Sequence, residues 1–273
     1  MKPTINFVSF VNLVVTAFAA LLISGCTTLV QVPDESNAAS VTLIEAEAGY
    51  ARVLEQHVDE RGEVAFEALR DDRSNASGLP ALERYVRAIG RTSLDGFAST
   101  DAGLAHMINA YNALSMYNVI ASGIPETHAG LAKVRFFVSR QFLIGGKPLS
   151  LYAFENDIIR KLDEPRVHFA LNCSAVSCPV LPRKMFTATG LNQELDRETR
   201  AFFARPENLR VDAASRTIFV NEILSFYTED FAPRHAPSLI EYAARYVSRE
   251  LPRDFAIAFT PYDWTVANQR RKR

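Results

Sequence analysis

The chain has little net charge, few cysteines and none of the short motifs that mark nucleotide-binding or repeat proteins. Its formal net charge at pH 7 is −1, from 30 basic and 31 acidic residues among 273. Because no basic field stands out, nucleic acid is not expected as a partner. The sequence also lacks an internal repeat, a low-complexity tract and a glycine-rich phosphate loop, and we assign no cofactor to it.

The chain does have enough apolar sequence for one sizeable core. Hydrophobic residues make up 48% of it, an ordinary value for a globular protein. The stretch 41–268 is long enough to fold as a single domain. The short basic stretch 269–273 is expected to be a solvated tail.

The first 25 residues have the pattern of a bacterial lipoprotein signal peptide. One lysine precedes an apolar run over 7–23, and the exit Ile23-Ser24-Gly25-Cys26 resembles a lipobox. This pattern predicts that Cys26 is lipidated and that residues 26–40 form a flexible tether to a membrane. An uncleaved signal anchor and an ordinary signal peptide are the alternatives. Thr27, rather than Asp, favours an outer-membrane location facing the periplasm.

Hydrophobic periodicity predicts helices interspersed with hairpins, without the regular alternation of a βαβ protein. Helices are predicted over 41–58, 79–89, 104–121, 150–161, 191–203, 222–231 and 238–249. Hairpins are predicted from 135–144 with 147–151 and from 209–212 with 217–221. Single strands are predicted over 167–171 and 256–260, and a short strand or turn over 63–69. The expected fold class is α+β, a single domain of helices packed around short antiparallel hairpins.

Apart from Cys26, the chain contains only Cys173 and Cys178, and three assignments of this pair are open. In an oxidising compartment the pair is expected to form a disulfide, since a turn can bring the two Cα atoms to about 5–6 Å. Alternatively, Cys173 is a nucleophile in a papain- or transglutaminase-like arrangement. The third assignment is a redox-active or metal-bound pair. The spacing is not that of common zinc knuckles, so no metal is assigned.

His168 lies in the predicted strand, on the same face as Ala170 and Asn172. An interior histidine of this kind is commonly a hydrogen-bonded core residue. Residues 174–177 could form a helical turn whose N-terminus lowers the pKa of the Cys173 thiol, and His168 could then be its base if the loop folds back.

The helix predicted over 104–121 is apolar on most sides and carries a stripe of polar side chains. Asn109, Asn112, Ser115 and Asn118 follow one another at intervals of three, which places neighbouring members on nearby parts of the surface. A buried amide without a partner costs about 1–3 kcal/mol. The asparagines are therefore expected either to hold neighbouring loops or to serve a pocket, where Asn109 and Asn112 would steady an oxyanion or an imidazole.

Five blocks of the sequence resemble the DUF547 family and occur in that family's order. They are MINAYNALSMYNVI (107–120), LSLYAFENDIIR (149–160), RVHFALNCSAVSCPVLP (166–182), VNEILSFYTEDF (220–231) and YDW (262–264). Members of this family largely lack an assigned activity, so the resemblance implies a domain and not a reaction.

The chain departs from the family's pattern at Met107, Asn156 and Val180. Asn156 replaces a histidine, which argues against a general base at that position. Asn156, Arg160 one turn later and Asn172 are candidate binding residues, and Arg160 could bind an anion. Glu155 and Asp157 point in different directions on a helix and do not form a paired-carboxylate site. Glu229 and Asp230 are expected on the solvated side of their helix.

Two classes of function remain. The first is a membrane-tethered module, stapled by Cys173–Cys178, that binds an unknown envelope protein, peptide or small molecule. The second is a thiol-dependent hydrolase or acyltransferase acting on a peptide-like amide or thioester, with Cys173 as nucleophile and His168 as base. The compartment and the absence of an unambiguous base favour the binding module, and a redox or metal site is a further alternative.

Overall fold

The computed structural model describes residues 27–33, 41–97 and 99–269. It confirms an α+β fold of helices with two small mixed sheets. The α-helices are α1 Leu43–His57, α2 Phe66–Asp71, α3 Leu79–Arg91, α4 Thr100–Ala121, α5 Leu131–Val134, α6 Leu151–Ala153, α7 Leu191–Ala204, α8 Ile223–Phe226, α9 Thr228–Phe231 and α10 Leu239–Ala244. The strands are β1 Thr28–Leu29, β2 Arg140–Ile144, β3 Lys147–Ser150, β4 Leu209–Asp212, β5 Thr217–Asn221 and β6 Ala256–Thr260.

Helix α4 is the central element of the core. Its first turn is capped by Ser99, whose hydroxyl accepts a hydrogen bond from the Ala102 N–H at 3.1 Å. Every residue from Gly103 to Val119 is buried. The apolar side chains of α4 pack with α1, α3 and the β2–β3 hairpin in a first apolar cluster. A second apolar cluster joins α7, α10 and the strands β4 and β5.

Both hairpins predicted from the sequence are present, but the first strand is shorter than the predicted 135–144, because Arg135–Ser139 form a π-helix and β2 begins at Arg140. Strands β2 and β3 pair antiparallel around Gly145-Gly146, and both glycines have a positive φ of 58° and 80°. Such backbone angles suit glycine, which has no side chain to clash. Strands β4 and β5 also pair antiparallel, and β6 adds to β5 in parallel.

Part of the segment expected to be a tether lies against the domain. Strand β1 pairs in parallel with Arg140 and Gln141 of β2, and the Val30 N–H donates to the Gln141 carbonyl at 2.8 Å. Residues 34–40 and the predicted lipidation site Cys26 lie outside the described residues. In the part of the chain that is described, no helix is long and apolar enough to cross a membrane.

The prediction of a strand over 167–171 is wrong. Residues Pro165–Phe169 form a 3₁₀-helix, because proline suits the first helical position and the Glu164 carboxylate accepts the Arg166 N–H at 3.0 Å. The helical turn over 174–177 that the nucleophile alternative requires is not formed, since Ser174 has a φ of 61° and Ala175 makes an isolated bridge to Val266. Cys173 therefore does not lie at a helix N-terminus.

Three smaller differences concern the ends and breaks of elements. The short strand or turn predicted over 63–69 leads instead into helix α2. The single helix predicted over 222–231 is divided into α8 and α9 at Tyr227. The single helix predicted over 150–161 consists of three segments: helix α6, a π turn over Phe154–Ile158 and a 3₁₀ turn over Ile159–Leu162.

Candidate ligand-binding site

One cavity of about 440 Å³ is lined by residues of both apolar clusters. Its volume lies in the range of about 300–1,000 Å³ that small-molecule sites usually occupy. Its walls come from α4, α5, the turns after α6, the loop after Phe169, α8 and the segment 262–264. Segments far apart in sequence thus meet at one concave surface.

The two cysteines form a disulfide in the wall of this cavity, as expected. The Cα atoms of Cys173 and Cys178 are 6.1 Å apart, and their sulfur atoms are bonded. The Tyr262 hydroxyl lies 3.0 Å from Cys178 Sγ and 3.5 Å from Cys173 Sγ. Since disulfide sulfurs carry no proton, this phenol is the donor. In this state neither cysteine is a nucleophile.

His168 also faces the cavity and is only 2% exposed. Its ring stacks on Tyr227 at a centroid distance of 4.0 Å. Nε2 lies 2.7 Å from Asp230 Oδ2, and Nδ1 lies 3.9 Å from Glu155 Oε1. Among the described residues Nδ1 has no hydrogen-bond partner. The imidazole is therefore held at one nitrogen and lies between two carboxylates.

Asp230 is the residue that fixes His168. Its carboxylate also accepts two hydrogen bonds from Arg160, at 2.6 Å from Nε and 2.9 Å from Nη2. Burial raises the pKa of Asp230, but the hydrogen bonds from His168 and Arg160 outweigh burial and hold this pKa below its usual range. Asp230 therefore stays ionised. The sequence had suggested that Asp230 lies on the solvated side of its helix, and the structure shows instead that its side chain is only 15% exposed.

Glu155 supplies a second carboxylate, 6% exposed. The Tyr111 hydroxyl donates to its Oε2 atom at 3.0 Å. Burial, together with the nearby charge of Glu155, raises the pKa of Tyr111 and of Tyr227 well above the ordinary value. Both phenols therefore stay protonated and act as hydrogen-bond donors beside the carboxylate.

Aromatic rings form the outer wall of the cavity. We use the term aromatic shelf for Phe226, Tyr262 and Trp264, whose ring centroids lie 4.4–6.1 Å apart. The Lys133 ammonium lies 3.9 Å from the Trp264 ring centroid and 5.2 Å from that of Phe226. Both distances are within the range of a cation–π contact.

The asparagines of α4 hold loops beneath the site. Asn109 donates to the Phe186 carbonyl at 2.8 Å and accepts from the Phe186 N–H at 2.9 Å. Asn112 donates to the Ala170 carbonyl at 3.0 Å and accepts from the Asn172 N–H at 2.8 Å. Neither amide lines the cavity, and both are occupied by backbone groups. Their observed contacts are those of loop-holding residues.

The three candidate binding residues are divided between the cavity and the loop. Asn156 and Arg160 line the cavity, and the Asn156 amide oxygen accepts a hydrogen bond from the Arg160 guanidinium. Arg160 is occupied by Asp230, which leaves it less able to bind an added anion. Asn172 is buried directly before the disulfide loop, and its amide donates to the Pro179 carbonyl at 2.7 Å, on the other side of that loop.

Sequence reasoning missed Asp230, Glu155 and the aromatic shelf as parts of one site. Asp230 is 62 positions from His168 and lies in α9, which a break at Tyr227 separates from α8. The one available signal was the position of both residues within blocks that resemble the family. No group of three or more His, Cys, Asp or Glu in the described ranges could hold a metal ion.

The site can therefore donate and accept hydrogen bonds and bind an apolar or aromatic group. Four ionisable side chains of the site are buried or half-buried and already interact with one another: those of Glu155, His168, Asp230 and Arg160. With the sulfurs joined, Cys173 has no free thiol to act as a nucleophile, so the arrangement suits binding better than thiol-dependent acyl transfer.

Comparison with known proteins agrees with the family suggested by the sequence blocks. Residues 96–203 match the model of the family described as "Protein of unknown function, DUF547". No curated protein and no solved structure matches the chain. The papain- or transglutaminase-like fold therefore stays a prediction. Residues 96–203, which build α4, the His168 segment and the disulfide loop, belong to the DUF547 family.

Proposed function

We propose that the protein is a membrane-tethered envelope lipoprotein whose DUF547 domain binds a small organic molecule in the cavity beside the Cys173–Cys178 disulfide. The observation that carries the proposal is the cavity itself, which is lined by an aromatic wall, buried hydrogen-bonding groups and the Cys173–Cys178 disulfide. Such a mixture of apolar surface and a few fixed polar groups is typical of ligand sites.

The disulfide supports binding over catalysis. It closes the loop 174–177 directly after Asn172, and its sulfurs accept a hydrogen bond from the Tyr262 hydroxyl, so it fixes the shape of one cavity wall. A wall of fixed shape lowers the cost of ordering the site when a ligand enters.

The tether rests on the sequence alone. The apolar run over 7–23 and the exit Ile23-Ser24-Gly25-Cys26 support lipidation of Cys26, and Thr27 supports an outer-membrane location facing the periplasm. The same compartment is oxidising and allows the disulfide to persist. Globomycin, which blocks lipoprotein signal cleavage, should cause the precursor to accumulate. Cys26→Ser should abolish the incorporation of radiolabelled palmitate that the unchanged chain shows.

Three probes of one shape but different charge test the binding role. They are choline, the neutral isostere 3,3-dimethylbutanol and the anion 3,3-dimethylbutanoate. Trp264 is the single tryptophan of the chain and lies in the cavity wall, so its fluorescence reports directly on occupancy. Saturable binding of any one probe, weakened by the cavity-filling change Leu171→Phe, is the expected result. The binding role is refuted if no probe binds.

A second candidate function is a thiol hydrolase that is active after reduction. It is favoured by one observation, that Cys173 and His168 line the same cavity while Asp230 orients the imidazole. Intact-mass labelling with iodoacetamide separates the two functions. For the binding module, no label enters until a dithiol reductant is added, and p-nitrophenyl acetate is not hydrolysed in either state. Rapid labelling of Cys173 without reductant, or reductant-dependent ester cleavage, would favour the hydrolase.

A further inference from the structure

The ammonium of Lys133 occupies the aromatic shelf of the cavity in the way a ligand cation would. It lies 3.9 Å from the Trp264 ring centroid and 5.2 Å from the Phe226 ring centroid. The negative faces of such rings attract a cation, most strongly at tryptophan. Tyr262, 4.4 Å from Trp264, completes the shelf.

The segment that carries Lys133 has little attachment to the core. Helix α5 contains four residues, none of them buried, and follows Gly130 with a φ of 64°. Partial desolvation lowers the pKa of Lys133, although the charge of Glu222 opposes this effect. The ammonium therefore loses hydration on the shelf, and it can leave without disturbing buried side chains.

The charge that remains after Lys133 leaves is negative. Arg160 and Asp230 balance one another as an ion pair. Apart from the imidazole of His168, the ionisable side chains of opposite sign left on the cavity lining are those of Glu155 and Lys133. Without Lys133 the cavity would combine an aromatic wall with one buried carboxylate, a combination that favours cations.

We infer that the aromatic shelf is a binding subsite for an organic ammonium group, which Lys133 occupies in the free protein and yields to the ligand. The inference rests on the proposed binding function and adds the chemical class of the ligand. A quaternary or alkylated ammonium fits best, because it is weakly hydrated and can contact several rings at once. A free carboxylate or phosphate would instead bind Lys133 and leave Glu155 opposed to it.

The same three probes test this inference on the soluble domain from residue 27 onward and on the full chain in detergent, through the fluorescence of Trp264. Choline should bind roughly tenfold more tightly than 3,3-dimethylbutanol, the neutral isostere, as expected for a desolvated cation–π contact. The anion 3,3-dimethylbutanoate should bind most weakly. Choline should also compete with the internal cation, so its advantage should grow when that cation is removed.

Lys133→Ala should raise the ratio of choline affinity to isostere affinity by roughly a further threefold to tenfold. Lys147→Ala, at an exposed lysine of the β2–β3 hairpin, is the matched control and should leave the ratio unchanged. Glu155→Gln should lower the ratio toward one, and Phe226→Leu, at an exposed side chain, should lower choline affinity. Circular dichroism of each variant identifies any that fails to fold. If the variant at the buried Glu155 does not fold, the variants at the exposed residues Lys133 and Phe226 still test the inference.

Three outcomes would overturn the inference. If the isostere or the anion binds as tightly as choline, the ligand is not a cation, although the cavity still binds small molecules. If Lys133→Ala weakens choline, the lysine is part of the binding site rather than its internal occupant. If none of the probes changes the fluorescence of Trp264, both this inference and the proposed binding function fail.

Discussion

The carboxylate of Asp230 joins two half-buried or buried groups, so its removal should destabilise the protein strongly. Its side chain is 15% exposed and that of Arg160 is 24% exposed. Asp230→Asn keeps the shape but leaves the guanidinium without its counter-charge and turns an amide N–H toward His168 or Arg160. Removing one partner of a buried ion pair costs about 3–5 kcal/mol. Because this pair is partly exposed, we expect the free energy of unfolding to fall by about 2–3 kcal/mol.

Urea denaturation followed by far-UV circular dichroism measures this loss. Glu229→Gln is the matched control, since it removes a carboxylate from the neighbouring exposed residue, and it should change the free energy of unfolding by no more than about 0.5 kcal/mol. If Asp230→Asn lowers the free energy of unfolding no more than this control does, water rather than Arg160 and His168 stabilises the carboxylate. The Asp230–Arg160 ion pair would then not stabilise the fold.

The same comparison at low pH provides a second check. The pKa of Asp230 is depressed in the folded protein, so its contribution is fully present above the pKa of an ordinary carboxyl, about 4. As the pH falls from there toward the folded-state pKa, this contribution is lost. The difference in stability between the wild type and Asp230→Asn should therefore be constant from pH 5 to 7 and shrink below about pH 4. A difference that persists undiminished at pH 2 would contradict this assignment.

Three further predictions follow from other contacts. Cys173→Ser with Cys178→Ser should lower the free energy of unfolding by about 2 kcal/mol, the entropy of closing a loop of five residues; urea curves that equal those of the oxidised wild type would contradict this. Asn109→Ala should cost about 2–3 kcal/mol, because two backbone partners lose their bonds, and a loss below about 1 kcal/mol would mean that water replaces the amide. Val30→Pro removes the donor to Gln141 and should speed hydrogen exchange of the Thr28 and Leu29 amides; unchanged exchange would show that β1 is held by other contacts.

Local patterns predicted the long elements well because their signals lie within the elements themselves. The capped, apolar helix α4 and the hairpin around Gly145-Gly146 depend on residues close in sequence, and both were placed within a few positions. The segment 167–171 failed because its apolar run fits a buried strand and a buried 3₁₀-helix equally well, and Pro165 decided between them.

The site was predicted only in its local parts. The pairing of Cys173 with Cys178 followed from a short spacing and a compartment. The partner of His168 could not be found in this way, since Asp230 approaches it only after the chain has formed α7, two strands and α8. A charged residue predicted to face solvent became half-buried because Arg160 offered it two hydrogen bonds. Such tertiary partners have no periodic signature.

The position of β1 has a consequence for how the domain is presented at a membrane. A free tether over 26–40 would let the domain explore a distance of up to about 50 Å from its lipid anchor. With Thr28–Leu29 paired to β2, only Cys26 and Thr27 remain between lipid and sheet, a reach of about 7 Å. With Cys26 lipidated as proposed, the edge carrying β1 would rest on the headgroups, and the orientation of the cavity relative to the bilayer would be restricted. Molecules that enter the cavity would then be drawn from the thin aqueous layer next to the lipid.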